Sequence, residues 1–212
     1  MKPITTLATI LLLTCHASAA ISYSYSYDLM PRFSGSGAIY ADDLHSGPAN
    51  TYDATGDLND GIVYAGSNPV DSPATSSMVA WNPAPGTPAT ITVDLGALYN
   101  LTSVELTTYA FTAFALGHPD DVTITTSADD ITYAGSALHI MDTSSNGAIL
   151  QSITRTDSGV RYIKLAFDGD THDSNDKYGL TELAIEGTPV PEPSSSALLG
   201  LAGLAIILRR RK

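Results

Sequence analysis

Thr90-Ile91-Thr92-Val93-Asp94-Leu95 alternates strictly, with Ile91, Val93 and Leu95 to one side and polar groups to the other. A period of two is the mark of a strand that buries one face. The same pattern recurs outward in both directions. Ile21-Ser22-Tyr23-Ser24-Tyr25-Ser26-Tyr27 puts its aromatics on one face and its serines on the other. Downstream, Val104 with Leu106, Val122 with Ile124, Ile163 with Leu165 and Phe167, and Leu183 with Ile185 repeat it. Gly, Pro, Asn or Asp bounds each run, and no stretch outside the last residues keeps a helical period. We therefore expect an all-β domain with enough strands for two facing sheets, a β-sandwich or jelly roll. Residues 43–89, richer in Gly, Pro, Asn and Ser, should form long loops.

Composition narrows what such a domain can do. The chain's 212 residues, 43% of them hydrophobic, suit one folded domain with apolar extras. Twenty-two acidic residues face ten basic ones, a net charge of −12, so a partner held through its phosphates is repelled and nucleic acid is excluded. Setting aside Lys2, Glu192 and the last four residues leaves five bases against 21 acids in residues 20–189, a net of −16. Only Glu105, Glu182, Glu186 and Glu192 are glutamates; aspartate, a turn-former and hard oxygen ligand, supplies the rest. That balance points to loops and to calcium. Cys15 is the single cysteine, so packing, with or without a metal, must stabilise the fold in place of a disulfide.

Both ends read as addresses. Residues 1–19 combine Lys2, an apolar stretch over 4–13 and the small-residue site Ala17-Ser18-Ala19, the plan of a secretory signal peptide cut after Ala19. A lipoprotein reading centred on Cys15 competes, but Thr14 is bulky for the residue before that cut. At the other end Val190-Pro191-Glu192-Pro193 leads through three serines into an apolar run over 197–208 and then Arg209-Arg210-Arg211-Lys212. Twelve helical residues reach roughly 18 Å, short of a ~30 Å hydrocarbon core, so this hydrophobic helix is a marginal anchor suited to transient membrane association. The basic cluster would hold its end in the cytoplasm. Proline triplet, apolar helix and basic stop in this order resemble the PEP-CTERM sorting signal, with a generic tail anchor as the alternative. The resemblance implies that Pro191, Glu192, Pro193, Arg209, Arg210 and Arg211 direct sorting by an exosortase. It further implies export through the inner membrane of a Gram-negative bacterium, to the cell surface or an extracellular polysaccharide matrix.

The domain between these ends carries a second resemblance. Six stretches occur in order: Asn59-Asp60-Gly61; Trp81; Ile91 to Gly96; the strand before Asp129-Asp130 and Tyr133; Val160 to Leu165; and Tyr178 to Gly187. Together they resemble the landmarks of the discoidin, or coagulation factor 5/8 type C, domain, which implies the galactose-binding-like jelly roll over residues 20–189. Trp81 stands twenty residues after Gly61, a longer gap than the family usually has, so an insertion reshapes that loop. The resemblance also implies a structural Ca2+ held by Asp60 and Glu182, with Asp57 nearby and carbonyls around Leu58 completing the shell; an Asp-Gly turn and an edge glutamate are the plainer alternative. Asp168-Gly169-Asp170-Thr171-His172-Asp173-Ser174-Asn175-Asp176 departs from the EF-hand template at its sixth and twelfth positions. It reads as a solvated loop or as a second ligand contact.

For recognition, Tyr109, Phe111, Phe114 and His118 combine stacking surface with hydrogen-bonding groups between two strands, as sugar binding requires. Core plugs and an ordinary loop histidine are the competing reading. No nucleophile elbow, zinc-protease helix or glycine-rich phosphate loop occurs, so no enzyme is expected, although paired carboxylates of a polysaccharide hydrolase would leave no trace in spacing. The sequence thus suggests an exported, non-catalytic carbohydrate-binding or adhesion module that takes neutral glycans. A structural matrix protein is the alternative.

Overall fold

The computed structural model describes residues 19–29, 31, 34–35, 38–39, 42, 51–52, 56–64, 78–82, 88–111, 115–168 and 177–191. Most of the expected leader, the tail beyond Pro191, the acidic run 169–176 and Phe114 lie outside them. Every regular element among the described residues is a strand. In chain order these are β1 (Ala19–Ala20), β2 (Ser24–Tyr27), β3 (Ser34–Gly35), β4 (Ala38–Ile39), β5 (Thr51–Tyr52) and β6 (Val79–Trp81). There follow β7 (Ala89–Ala110), β8 (Asp121–Ser127), β9 (Ala134–Ile140), β10 (Gly147–Thr154), β11 (Val160–Asp168) and β12 (Tyr178–Pro189). The all-β expectation holds, and the inward residues named from the alternation are buried, apart from Tyr23, which is partly buried.

β7 organises the whole. The sequence reads as two strands here, 90–95 and 101–109, but the backbone runs through as one strand of 22 residues. Its first half pairs antiparallel with β2 and β11, and β11 continues to β8 and β9. Its second half pairs with β12 and β10, while β6 and β1 add to the far edge of β12. Between the halves Gly96 takes a φ of 74°, a left-handed conformation that glycine adopts without penalty. Ile91, Val93 and Leu95 from the first half and Val104 and Leu106 from the second belong to one continuous core cluster, so the two halves serve facing layers. The result is the expected β-sandwich of jelly-roll type.

Aromatic rings run through this core as a connected series. Tyr23, Tyr25 and Tyr27 share a face of β2, at centroid separations of 6.2 and 5.5 Å. Tyr27 meets Trp81 edge-on at 5.5 Å, Trp81 meets Tyr178 at 5.7 Å, and Tyr178 meets Phe167 at 6.1 Å. β2, β6, β12 and β11 are thereby tied across the layers, and such pairs add about 0.5–1.5 kcal/mol each beyond the area they bury. Trp81 is wholly buried, with its indole N–H donating to the Leu29 carbonyl at 2.8 Å. On the first layer Arg161 grips Asp94 through two hydrogen bonds of 2.8 and 3.0 Å, tying β11 to β7.

The first and last described strands, β1 and β12, pair with each other. Ala19 stands opposite Gly187 and Ala20 opposite Glu186, and the Ile21 amide donates to the Ile185 carbonyl at 2.9 Å. Gly187 permits this closure, because a Cβ there would lie 2.6 Å from the Asn100 carbonyl oxygen and 3.2 Å from Ile21 Cδ1. Gly187→Ala should therefore cost about 1–3 kcal/mol, the usual penalty for forcing atoms into a filled site. Denaturant unfolding measures the loss, and hydrogen exchange should show the Ile21 amide losing protection before those of β8 and β11.

Candidate functional site

Two regions gather the residues that the sequence singles out. The first lies where β7 ends, and is built from Ala110, Phe111, residues 115–118 and the loop 141–146. Phe111 and Leu116 pair antiparallel, exchanging backbone hydrogen bonds of 2.8 and 3.3 Å. Gly117 then lies alongside Tyr178, donating its amide to the Lys177 carbonyl at 2.9 Å. His118 follows, buried, with Nδ1 2.7 Å from the Thr108 hydroxyl and Nε2 2.9 Å from the Ser145 carbonyl. A carbonyl only accepts, so Nε2 carries a proton, and the ring fastens the 141–146 loop to β7.

That loop is held from within as well. Buried Gln151 donates to the Asp142 carbonyl at 2.8 Å and accepts from the Asp142 amide at 3.0 Å. The Asp142 carboxylate accepts the Ser144 amide at 2.9 Å. Hydrogen bonds from Ser144 hold the Asp142 carboxyl below the usual aspartate range. Ala110, Gly117, His118, Thr143, Ser144, Ser145 and Asn146 surround a recess of about 210 Å³. The backbone of the 141–146 loop is thus held at Asp142, Ser144 and Ser145.

The four residues proposed for recognition separate here. His118 lines the recess, as expected for a hydrogen-bonding group, although its ring is buried and engaged. Tyr109 is corrected: its ring is 1% exposed and stands edge-on to Tyr64 at 5.0 Å, so it is a packing residue with no free face for stacking. The C-terminal end of β7 is buried on both faces, with residues 106–110 all inside, and Tyr109 packs onto a small cluster of Met78, Ala80 and Leu116. Phe111 is half-buried against that cluster, one residue beyond Ala110 in the recess wall. Sequence reasoning missed Thr143, Ser144, Ser145 and Asn146. A run of small polar residues before Gly147 was the available signal.

The second region is the segment 56–64 against β12. Glu182 accepts the Gly61 amide at 3.0 Å, and Asp60 accepts the Ile62 amide at 2.7 Å. The two carboxyl groups also hydrogen-bond each other. Burial first, and then the neighbouring Asp60 charge, push Glu182 up to about 7, and burial raises Asp60 above its ordinary value. Burial, reinforced by the Glu182 charge, also raises the Tyr23 hydroxyl well above its usual range. Tyr23 donates to the Leu58 and Leu183 carbonyls, tying β2 to both segments.

The donor set decides how these residues suit calcium. Asp60 and Glu182 offer adjacent hard carboxylate oxygens that share a proton, chiefly because burial disfavours charge on them and then because two charges would stand together, an arrangement that suits a divalent cation. The Leu58 carbonyl is corrected as a ligand: it already accepts the Leu183 amide at 2.8 Å and the Tyr23 hydroxyl at 3.1 Å, which occupies both lone pairs. Asp57 is buried and its amide donates to Asp42 Oδ1 at 3.1 Å. Among the described residues no three of His, Cys, Asp and Glu gather into one group, so Asp57 does not join the pair. Asp42, which the sequence did not single out, is buried and accepts the hydroxyls of Tyr25 at 2.6 Å and Tyr27 at 2.9 Å.

Comparison with known proteins adds two findings. Residues 189–212 match the PEP-CTERM protein-sorting motif, in agreement with the reading of the tail. That motif marks an exported, surface-sorted protein and implies processing by an exosortase. The solved structures similar to this chain include the family 32 carbohydrate-binding module of NanJ from Clostridium perfringens, in complex with galactose. It shares 14% identity at a TM-score of 0.45, over 80% of this chain and 99% of that one. Chitosan-binding module 1 of a Paenibacillus sp. IK-5 chitosanase/glucanase shares 18% at 0.44, over 81% and 100%. A CBM32 module from a family 31 glycoside hydrolase of C. perfringens shares 19% at 0.43, over 53% and 76%. No curated protein sequence matches the chain.

The carboxyl pair gives the stability a definite pH dependence. Folded Glu182 titrates near 7 against 4.5 for the free group, so the folded form binds its proton more tightly than the unfolded chain does. Its contribution is full below about pH 4.5 and is lost as pH rises through about 7. In chelator, the melting temperature of wild type relative to Glu182→Gln should fall over that window. A flat or rising difference would show that the proton is not shared in the fold.

Proposed function

We propose that this protein is an exported, non-catalytic carbohydrate-binding or adhesion module, delivered by the PEP-CTERM route through the inner membrane of a Gram-negative bacterium to its surface or extracellular polysaccharide matrix. The observation that carries this reading is the recess beneath residues 141–146, whose volume suits a single sugar ring. Ser144, Ser145 and Asn146 carry hydroxyl and amide groups of the kind that complements sugar hydroxyls, and the hydrogen bonds of Gln151 and His118 hold the loop backbone that bears them. Binding energy is conserved when the polar groups are ordered beforehand. Half-buried Phe111 gives an apolar edge beside them. Neutral sugars fit best, because a domain at −16 repels polyanions. A recess this small gives modest affinity per copy, and many copies on one surface give firm attachment.

The test is a glycan array on residues 20–190 beside Asn146→Ala and Phe111→Ala, each verified as folded by circular dichroism. Wild type should retain neutral glycans, and Asn146→Ala should weaken retention about tenfold, the equivalent of ~1.4 kcal/mol. Retention of no glycan by wild type leaves the structural matrix protein as the better reading.

We also propose that Asp60 and Glu182 hold Ca2+, which takes the place of their shared proton and is completed by water and backbone oxygens other than that of Leu58. When bound, the ion supplies charge compensation and fastens the segment 56–64 to β12. A ligand that binds only the folded form stabilises it by about 2.7 kcal/mol at a hundredfold excess over Kd. The melting temperature should rise in calcium relative to chelator, and Glu182→Gln should abolish the response. Equal melting in both media for wild type would remove the metal from the account.

A further inference from the structure

We infer that the end of the sandwich bearing the β7 bend faces the membrane while the chain is tethered by its sorting tail, and that the recess is thereby presented away from the bilayer. The functional part of this inference rests on the reading of the recess as the ligand site; the orientation itself does not.

The geometry follows from β12. That strand begins at Tyr178, beside Gly117 and opposite Trp81, next to the recess, and ends at Pro189, opposite Tyr99. Its 12 residues, at ~3.3 Å each, separate the two ends by roughly 36 Å. The fold continues to hold the chain up to Val190, whose amide donates to the Leu98 carbonyl at 2.8 Å. The sorting motif therefore starts without a spacer, since its match begins at residue 189. Only six residues, 191–196, separate Val190 from the apolar run. Fully extended they reach about 20 Å, so the bend end cannot stand farther than that from a bilayer holding the run. The amino end enters at the same place, because Ala19 pairs with Gly187. Before either end is processed, both apolar segments thus leave the domain from one pole.

The surface at that pole suits the neighbourhood. Residues 95–104 carry no charge, in a domain whose net is −16. Leu98 is 41% exposed at the tip, and Tyr99 is partly buried beside it. Asp94 and Asp157, which flank the bend, are each paired with an arginine, Arg161 and Arg155. A bilayer surface therefore meets a neutral, partly apolar tip with little electrostatic resistance.

The experiment uses the full chain in phosphatidylcholine vesicles, with Cys15→Ser so that one introduced cysteine takes a fluorophore. Ser158→Cys labels the bend end, and Ala148→Cys labels the recess end without touching the recess lining. Quenching by a headgroup-attached nitroxide should be at least threefold greater at position 158 than at position 148. Equal or reversed quenching overturns the inference, as does failure of the full chain to float with the vesicles. Glycan retention plays no part in this readout, so loss of the ligand reading and loss of the orientation are separate results.

Discussion

The strand β7 has to serve two layers at once, and most of the remaining structure follows from that. Its 22 residues take β2 and β11 as partners along one half, and β10 and β12 along the other. The inward residues of β7 are odd-numbered through Leu101 and even-numbered from Val104, so the alternation shifts by one residue at the β12 bulge opposite residues 101–103, and each half must hold its own register. A slip of one residue would turn Ile91 and Val93, or Val104 and Leu106, out to water. Gly96 and the uncharged residues after it make the change of layer possible, and the ladders to β11 and β12 take up the bend with shifts in register there. Because both layers hang from the same strand, the sandwich closes around one core, and the aromatic series from Tyr23 to Phe167 fills the space between them.

The fold was legible because burial in a sandwich writes itself as alternation. Ile91, Val122, Ile163 and Leu183 each stand where that pattern puts them. The continuity of β7 was not legible, since the glycine that marks the bend reads locally like the glycine of a loop. β9 and β10 escaped notice for a related reason. They lie at the outer edges of their layers, with Leu138, Ile140 and Leu150 exposed, and an edge strand has little need of strict alternation.

The candidate sites were legible in part. Asp60 and Glu182 were found because an ordered resemblance pointed at both, although 121 residues separate Glu182 from the Gly61 amide it holds. Composition alone could not have joined them. The recess residues were missed because Thr143, Ser144, Ser145 and Asn146 carry no chemistry peculiar to binding. They matter through where Gln151 and His118 hold them, and those hydrogen bonds cross strands. Tyr109 was misassigned because aromatic residues near a loop look alike in sequence whether they face in or out. Only the burial of the last residues of β7 on both faces separates the two cases. Asp42 escaped for want of any local pattern, and its partners Tyr25 and Tyr27 lie on a different strand.

The abundance of aspartate has a physical explanation in this fold that differs from metal binding. Asp60, Asp94, Asp129 and Asp142 each accept the amide two residues ahead, at 2.7, 2.8, 3.0 and 2.9 Å. An aspartate side chain is the right length for that bond, whereas glutamate is too long, and a domain of short strands needs many such turns. Part of the negative charge is therefore a consequence of turn-making. Glu182 differs in kind. It reaches from β12 to a segment far away in the chain, and burial first, then the Asp60 charge, raises its proton affinity. A cation acting there would leave the turns and the core unchanged. Its effect would be confined to how firmly residues 56–64 dock on β12, so it would govern one local attachment and not the fold as a whole.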